Sequence, residues 1–154
     1  MRKIRTACVI DAPPEAVWPL LCSSKMDTRI PCAFRLGIPK PVECRLPEGE
    51  GGVGRERQCV SNRGIIHQRI TCWDAPRCLR FQMEDTNLYF RPCVTSIEEA
   101  FELEALDGER TRVVRTTTLA VVGMGRFLKS AIMLAGLKCV HRYVFRNWRR
   151  LAVT

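Results

Sequence analysis

The sequence predicts an α+β domain in which a curved antiparallel sheet of about seven strands wraps around a long C-terminal helix, with short helices after the first strand. Three observations predict this fold. Strand-type segments follow one another through the middle of the chain, Asp107-Gly108 stands between two of them as a hairpin turn, and residues 125–152 are proline-free with helical periodicity. Because the chain has 154 residues, 46% of them apolar, we expect a single domain over residues 1–154 with its own core.

The first third of the chain supplies a strand, a short helix and an irregular segment. Residues 3–10 are rich in β-branched side chains and predict a strand. Pro13, Pro14 and Glu15 then begin a helix, because proline is accepted in a first helical turn and an acidic side chain suits the positive helix end. Residues 23–54 are rich in proline and glycine, which predicts irregular structure with one short helix and one short strand.

The middle of the chain predicts a run of strands, and the end predicts the long helix. The strands are residues 55–61, 65–73, 77–83, 95–106 and 110–121, with turn residues between them. The helix over residues 125–152 is apolar nearly all round in its first half, so we expect that half to be buried on more than one side. A curved sheet around this helix leaves a hydrophobic cleft between the two.

The second half of the helix sorts into an apolar and a basic face at about 100° per residue. The apolar face, which should line the cleft, carries Leu134, Leu137, Val140, His141, Val144, Trp148 and Leu151. The nearly opposite face carries Lys138, Arg142, Arg146, Arg149 and Arg150, which we call the basic stripe.

Four stretches of the sequence, in this order, carry a family resemblance. They are IDAPPEAVW at residues 10–18, GVGR at 52–55, ITCWDAPRCLRF at 70–81, and FEL through DG to TRV within 101–113. The set spans nearly the whole chain and resembles the START-related polyketide cyclase/dehydrase and lipid-transport (SRPBCC) superfamily. The resemblance implies the helix-grip fold of that superfamily. It implies no single function, because lipid carriers, hormone receptors and cyclases all belong there.

The alternation of side chains along each strand predicts which residues face the cleft, and these are the candidate ligand-binding residues. Gln68 shares the parity of Ile66 and Ile70, and Glu99 shares that of Phe101, so all should face inward. The full candidate set is Ile66, Gln68, Ile70, Phe81, Glu99, Phe101, Leu137, His141, Val144 and Trp148. Arg115 is a candidate cross-strand partner of Glu99, although the loop length leaves the register open by one residue.

His141 is the candidate catalytic residue. A neutral imidazole on the face that lines the cleft can orient a ligand carbonyl or act as an acid/base group, since its ordinary pKa is about 6.5. The alternative is a core histidine hydrogen-bonded to a backbone carbonyl. No nucleophile–base arrangement and no pair of carboxylates can be read from the spacing.

Charge is distributed unevenly along the chain. Residues 1–109 carry 15 basic and 16 acidic side chains, whereas residues 110–154 carry ten basic and no acidic ones, so the net charge of +9 comes from the C-terminal segment. This asymmetry makes an anionic membrane surface or an acidic partner a candidate contact of the basic stripe. Nucleic acid is disfavoured, because the stripe lacks interleaved aromatic side chains. The plain alternative is a solvated face that complements the helix dipole.

The nine cysteines predict neither a disulfide scaffold nor a metal site. Their number is odd, no Cys-x-x-Cys occurs, and the chain has only two histidines. We therefore expect no metal and no cofactor, and we expect the cysteines to act as small apolar side chains in a reducing compartment. The sequence contains no apolar run of membrane-spanning length, so a cytoplasmic location is expected.

These observations support three functional hypotheses. The leading one is binding or transport of a hydrophobic small molecule or lipid in the cleft, oriented by Gln68, Glu99 and His141. The first alternative is a polyketide cyclase- or dehydratase-type enzyme that uses His141 as its acid/base group. The second alternative is an interaction module that uses the basic stripe.

Overall fold

The structure, a computed structural model, describes residues 1–153, so Thr154 at the end of the predicted domain lies outside the described residues. Within that range, eight strands form one antiparallel sheet in the order β1-β8-β7-β6-β5-β4-β3-β2. The strands are β1 Arg2–Ile10, β2 Ser24–Lys25, β3 Pro41–Arg45, β4 Glu56–Ser61, β5 Ile65–Asp74, β6 Cys78–Thr86, β7 Val94–Asp107 and β8 Arg110–Val121. The helices are α1 Pro14–Cys22, α2 Cys32–Arg35 and α3 Arg126–Ala152.

This architecture confirms the predicted fold class, with one strand more than expected. The additional strand is β2, whose two residues pair with Cys44 and Glu43 of β3. Such a short strand carries no alternation pattern, so its pairing depends on where the chain passes rather than on its own sequence. The Asp107-Gly108 turn joins β7 and β8 as predicted, with Asp107 paired to Arg110 across it.

The core lies where α1 and the C-terminal half of α3 pack on the concave face of the sheet. Trp148 is 1% exposed and its ring lies 5.4 Å from that of Phe101, while its indole nitrogen donates to the Ser24 hydroxyl at 3.0 Å. Val17 and Leu21 of α1 are fully buried in the same cluster. Together these side chains fill one end of the space between helix and sheet.

The segment between β2 and β3 is tied to α3 by polar contacts. The Tyr143 hydroxyl donates to the Asp27 carboxylate at 2.6 Å, and the Asp27 amide donates to the Asn147 side-chain oxygen at 2.8 Å. The Lys40 ammonium donates to the Asp27 carbonyl at 2.8 Å. These bonds hold the proline-rich segment against the helix, although its own sequence has no regular period.

The first half of α3 differs from its prediction. We expected it to be buried on more than one side, but Phe127, Leu128 and Ile132 are 72%, 68% and 62% exposed. The sheet and the loop before β7 cover only the side of the helix that carries Met133, Leu134 and Leu137. Hydrophobicity all round a helix therefore did not predict burial all round, because no described element packs on its outer side.

The packing of Trp148 yields a stability prediction. Trp148→Ala should lower the free energy of unfolding by about 3–5 kcal/mol, because it removes a buried ring and leaves a cavity. Leu128→Ala on the exposed side of the same helix should change it by no more than about 0.5 kcal/mol. Urea unfolding followed by circular dichroism measures both. Equal effects of the two variants would contradict this packing.

Candidate functional site

A cavity of about 150 Å³ lies between the concave face of the sheet and the first half of α3. Strands β4, β5, β7 and β8 form its floor, and α3 forms one wall. The remaining sides are formed by Ile38, Pro39, Pro41 and residues 88–90. Its lining is mainly apolar, and the polar side chains that reach it are Ser61, Gln68, Tyr89, Glu99 and Arg115. A concave apolar site with few polar groups is the usual form of a small-molecule site.

A smaller chamber of about 40 Å³ adjoins the cavity, toward the C-terminal half of α3. The two spaces share the lining residues Pro41, Cys59, Gln68, Arg115 and Val140. These shared residues place the two volumes side by side.

The structure brings seven of the ten candidate ligand-binding residues to these surfaces. Ile66, Gln68, Glu99 and Leu137 line the larger cavity, and Phe101, Val144 and Trp148 line the smaller chamber. Ile70 and Phe81 face inward as their parity predicts, but they lie in the core and line neither volume. The reason is that α1 covers this end of the sheet, and side-chain alternation along a strand carries no information about which end is covered.

His141 does not line the cavity, which corrects its placement in the cleft. It is fully buried, and its Nδ1 and Nε2 atoms each lie 2.7 Å from a threonine hydroxyl, that of Thr6 and that of Thr117 respectively. The alternative expectation of a core histidine matches this burial, but the expected backbone carbonyl partner is wrong, because both ring partners are side chains.

The hydrogen-bond chain around His141 defines its tautomer. The Thr117 hydroxyl donates its single hydrogen to the Glu99 carboxylate at 2.9 Å, so it can only accept from the ring. Nε2 therefore carries the hydrogen, and Nδ1 accepts from Thr6. Burial, together with the smaller effect of the nearby Arg115 guanidinium, lowers the pKa of His141 to about 2. The imidazole is thus neutral and fully engaged, which leaves it no free nitrogen for a ligand.

Glu99 and Arg115 form a buried ion pair at the floor of the cavity. Arg115 donates through Nε to Oε2 at 2.9 Å and through Nη2 to Oε1 at 3.1 Å, and its guanidinium lies 5.1 Å from the centre of the Phe101 ring. In the observed register Glu99 pairs with Thr117, and Arg115 pairs with Phe101. The side chains of all four residues therefore share the inner face, and the pairing that the sequence left open by one residue is formed.

Sequence reasoning missed Arg57, a buried cation beside Gln68. Its Nε and Nη2 donate to the Leu21 carbonyl at 3.0 and 2.8 Å, and its Nη1 donates to Gln68 Oε1 at 2.8 Å. Arg57 is the direct cross-strand partner of Gln68. An inward Gln68 on β5 therefore implied an inward residue 57 on β4, and this register relation was the available signal.

Cys59 also lines both volumes. Burial raises the pKa of the Cys59 thiol, which keeps it protonated and poorly nucleophilic. Within residues 1–153, no group of three or more His, Cys, Asp or Glu side chains is arranged to hold a metal ion. None of the helices described here is long and apolar enough to cross a membrane.

All residues of the basic stripe lie on the outer side of α3, away from the cavity. Lys138, Arg142, Arg146, Arg149 and Arg150 are exposed. Arg149 donates to the Val9 carbonyl at 3.0 Å, and Arg150 donates to Asn147 at 3.2 Å. No carboxylate among the described residues forms an ion pair with any of the five.

The low pKa of His141 predicts how stability depends on pH. The unfolded chain binds a proton on His141 below about pH 6.5, whereas the folded protein does not until about pH 2. Stability should therefore fall as the pH drops below 6.5, by about 1.4 kcal/mol for each pH unit. Urea unfolding at pH 5.0 to 6.5, above the range in which most carboxylates titrate, measures this slope.

A pair of variants checks that His141 is the source of the slope. His141→Gln should be less stable at neutral pH and should lose the slope, whereas His67→Gln, which removes the other histidine, should retain it. A wild-type protein whose stability is constant between pH 5.0 and 6.5 would contradict a buried neutral imidazole.

Solved structures of other proteins share this arrangement. XoxI from Bacillus cereus is 17% identical with a TM-score of 0.66, over 99% of this chain and 96% of that one. The Zhui aromatase/cyclase from Streptomyces sp. R1128 is 16% identical with a TM-score of 0.61, over 97% and 95%. Ara h 8.0201 is 14% identical with a TM-score of 0.68, over 99% and 97%. At these identities the likeness concerns the fold alone.

No curated protein matches the chain by sequence. A family profile does match, over residues 1–152, and its family is described as polyketide cyclase / dehydrase and lipid transport. The match covers nearly the whole chain. The chain is therefore a member of the polyketide cyclase / dehydrase and lipid transport family.

Proposed function

We propose that this protein binds a hydrophobic small molecule or lipid in the cavity under the first half of α3. The carrying observation is the mainly apolar lining with a few polar side chains at its floor, Gln68, Glu99 and Arg115 among them. These groups orient a ligand, and the apolar walls supply most of its binding energy. The nine free thiols suit a reducing compartment, which supports the cytoplasm as the place of action.

Binding is favoured over catalysis by the position of His141. The cyclase-type alternative needs an acid/base group that reaches the ligand, but both ring nitrogens of His141 bond to threonines and the residue lines neither volume. The protonated thiol of Cys59 and the paired carboxylate of Glu99 are also poorly suited to the role. The family membership is compatible with either activity. The preference for binding over catalysis therefore rests on the geometry of the site.

Filling the cavity tests the proposal. Gly136 lines it, and a Cβ added there would lie 3.7 Å from Ile38 without a clash. Gly136→Leu should weaken binding of the neutral dye N-phenylnaphthylamine at least about tenfold, since it occupies the space of the dye. It should not lower the thermal midpoint, because leucine stabilises a helix relative to glycine by up to about 1 kcal/mol.

Ala135→Leu is the matched control, since Ala135 is the exposed neighbour on the same helix. It should leave dye binding unchanged. Fluorescence titration measures the affinities, and octanol should displace the dye from the wild type. Equal affinity of Gly136→Leu and the wild type would place the dye outside this cavity and contradict the proposal.

A second candidate function, docking on an anionic membrane surface, is favoured by the outer side of α3. That side is apolar over its first half, at Phe127, Leu128, Ala131, Ile132 and Ala135, and continues into the basic stripe. Exposed apolar side chains beside cations that lack ion-pair partners suit the boundary between headgroups and acyl chains. Ile132 belongs both to this outer side and to the cavity lining, so docking would bring the cavity to the membrane.

Vesicle co-sedimentation tests the docking proposal. At low salt the protein should pellet with phosphatidylserine-containing vesicles and not with neutral phosphatidylcholine vesicles, since each cation near the surface contributes about 1 kcal/mol. Phe127→Ser with Leu128→Ser, or Arg142→Glu with Arg146→Glu, should abolish pelleting. Val53→Ser, at an equally exposed apolar position in a distant loop, should not. Equal pelleting with both vesicle types, or with neither, would refute docking.

A further inference from the structure

The smaller chamber contains a buried cation that has no carboxylate partner. Arg57 is 4% exposed and lines the chamber. No Asp or Glu among residues 1–153 lies within ion-pairing distance of its guanidinium, whereas Arg115 in the same lining is paired with Glu99. Buried charges in proteins are normally paired, because removing an ion from water carries a large energetic cost.

The folded chain compensates this charge only in part. The guanidinium is held by the Leu21 carbonyl at the negative end of α1, by Gln68 Oε1, and by the face of the Phe81 ring 4.3 Å away. These three groups are neutral. The three hydrogen bonds also use only three of the five N–H groups of an arginine, so each Nη atom keeps one hydrogen without a partner among the described residues.

The other charged groups that line the chamber do not neutralise the positive charge of Arg57. Glu43 is the one acid among the described residues that line the chamber, and it pairs with Arg45 at 3.0 Å. If the Glu43–Arg45 and Glu99–Arg115 pairs are counted as neutral, the chamber has a net charge of +1, which comes from Arg57. Gln68 faces the same space, and its amide nitrogen donates to no described residue. The chamber therefore presents unused donors and one uncompensated cation to whatever occupies it.

We propose that this chamber binds the carboxylate of a hydrophobic carboxylic acid whose apolar part occupies the larger cavity. The proposal rests on the proposed ligand-binding function and adds the chemical class of the ligand. A planar carboxylate can accept two parallel hydrogen bonds from a guanidinium, which a hydroxyl or an ester cannot do with the same charge. The chamber, at about 40 Å³, suits a carboxylate better than a bulkier phosphate group.

The placement of the two volumes supports a single ligand that spans them. Gln68 and Arg115 line both, so the polar groups lie at the junction and the apolar walls lie beyond it. An acid bound in this way has its carboxylate at Arg57 in the smaller chamber and its tail in the larger cavity, whose lining includes Leu88 and Ile132.

Matched ligands test the proposal. Octanoate and octanol compete for N-phenylnaphthylamine at neutral pH, and octanoate should bind about tenfold more tightly, as expected for charge-assisted hydrogen bonds in a buried site. In Arg57→Gln the two affinities should become nearly equal, chiefly through loss of octanoate binding. Arg55→Gln, which removes an exposed arginine paired with Glu48, should keep the wild-type ratio.

Two further measurements, on Arg57→Lys and with octyl phosphate, complete the test. Arg57→Lys, which keeps the cation, should retain a preference for octanoate; the wild-type ratio and this variant keep the test valid if Arg57→Gln does not fold. Equal affinities in the wild type, or an unchanged ratio in a folded Arg57→Gln, would overturn the proposal while leaving apolar binding intact. Octyl phosphate that binds more tightly than octanoate would overturn the choice of a carboxylate. Failure of both octanoate and octanol to bind would refute the proposed function itself.

Discussion

A chain of buried polar contacts joins α3 to three strands of the sheet, and the cavity depends on it. The chain runs from Thr6 on β1 through His141 on α3 to Thr117 on β8, and continues to the Glu99–Arg115 pair. The contacts are directional, because Thr117 gives its single hydroxyl hydrogen to Glu99 and must therefore accept the bond from Nε2 of the ring. This chain sets the rotation of α3 about its axis, and thereby which side chains face the cavity and which face solvent.

The two halves of α3 then serve different purposes. The C-terminal half is packed against Phe101 and the residues of α1, so little space remains there. The N-terminal half is covered on one side only, by the sheet and the loop before β7, and the cavity lies beneath it. The same arrangement leaves an apolar outer side on the first half and a basic outer side on the second. A ligand-binding cavity and a candidate docking side thus follow from one helix placed asymmetrically on one sheet.

Two buried arginines, Arg115 and Arg57, place positive charge in the interior, and they differ in whether a carboxylate neutralises that charge. Arg115 is neutralised by Glu99 and contributes a fixed dipole at the floor of the cavity. Arg57 is held by a helix-end carbonyl, an amide oxygen and an aromatic face, none of which carries a full charge. A buried ion pair holds structure in place, whereas a buried cation without an anion favours an anionic ligand. The distinction separates a structural group from a candidate recognition group within one small space.

The sequence by itself determined the elements and the side of each strand. Alternation placed Gln68, Glu99 and Phe101 on the inner face, the Asp107-Gly108 turn joined two long strands, and helical periodicity separated the basic stripe from the apolar face of α3. These features are local, because they depend on neighbours within one or two turns or on a single hairpin.

Only the tertiary structure decided what each inward residue meets. Ile70 and Phe81 lie in the core because α1 covers their end of the sheet, and His141 bonds to threonines because α3 is rotated toward β1 and β8. Phe127 and Leu128 are exposed because no described element packs on their side of the helix. Arg57 meets the end of α1 thirty-six residues earlier in the chain. Periodicity specifies a direction within one element, whereas burial and partners depend on how distant elements are placed against it.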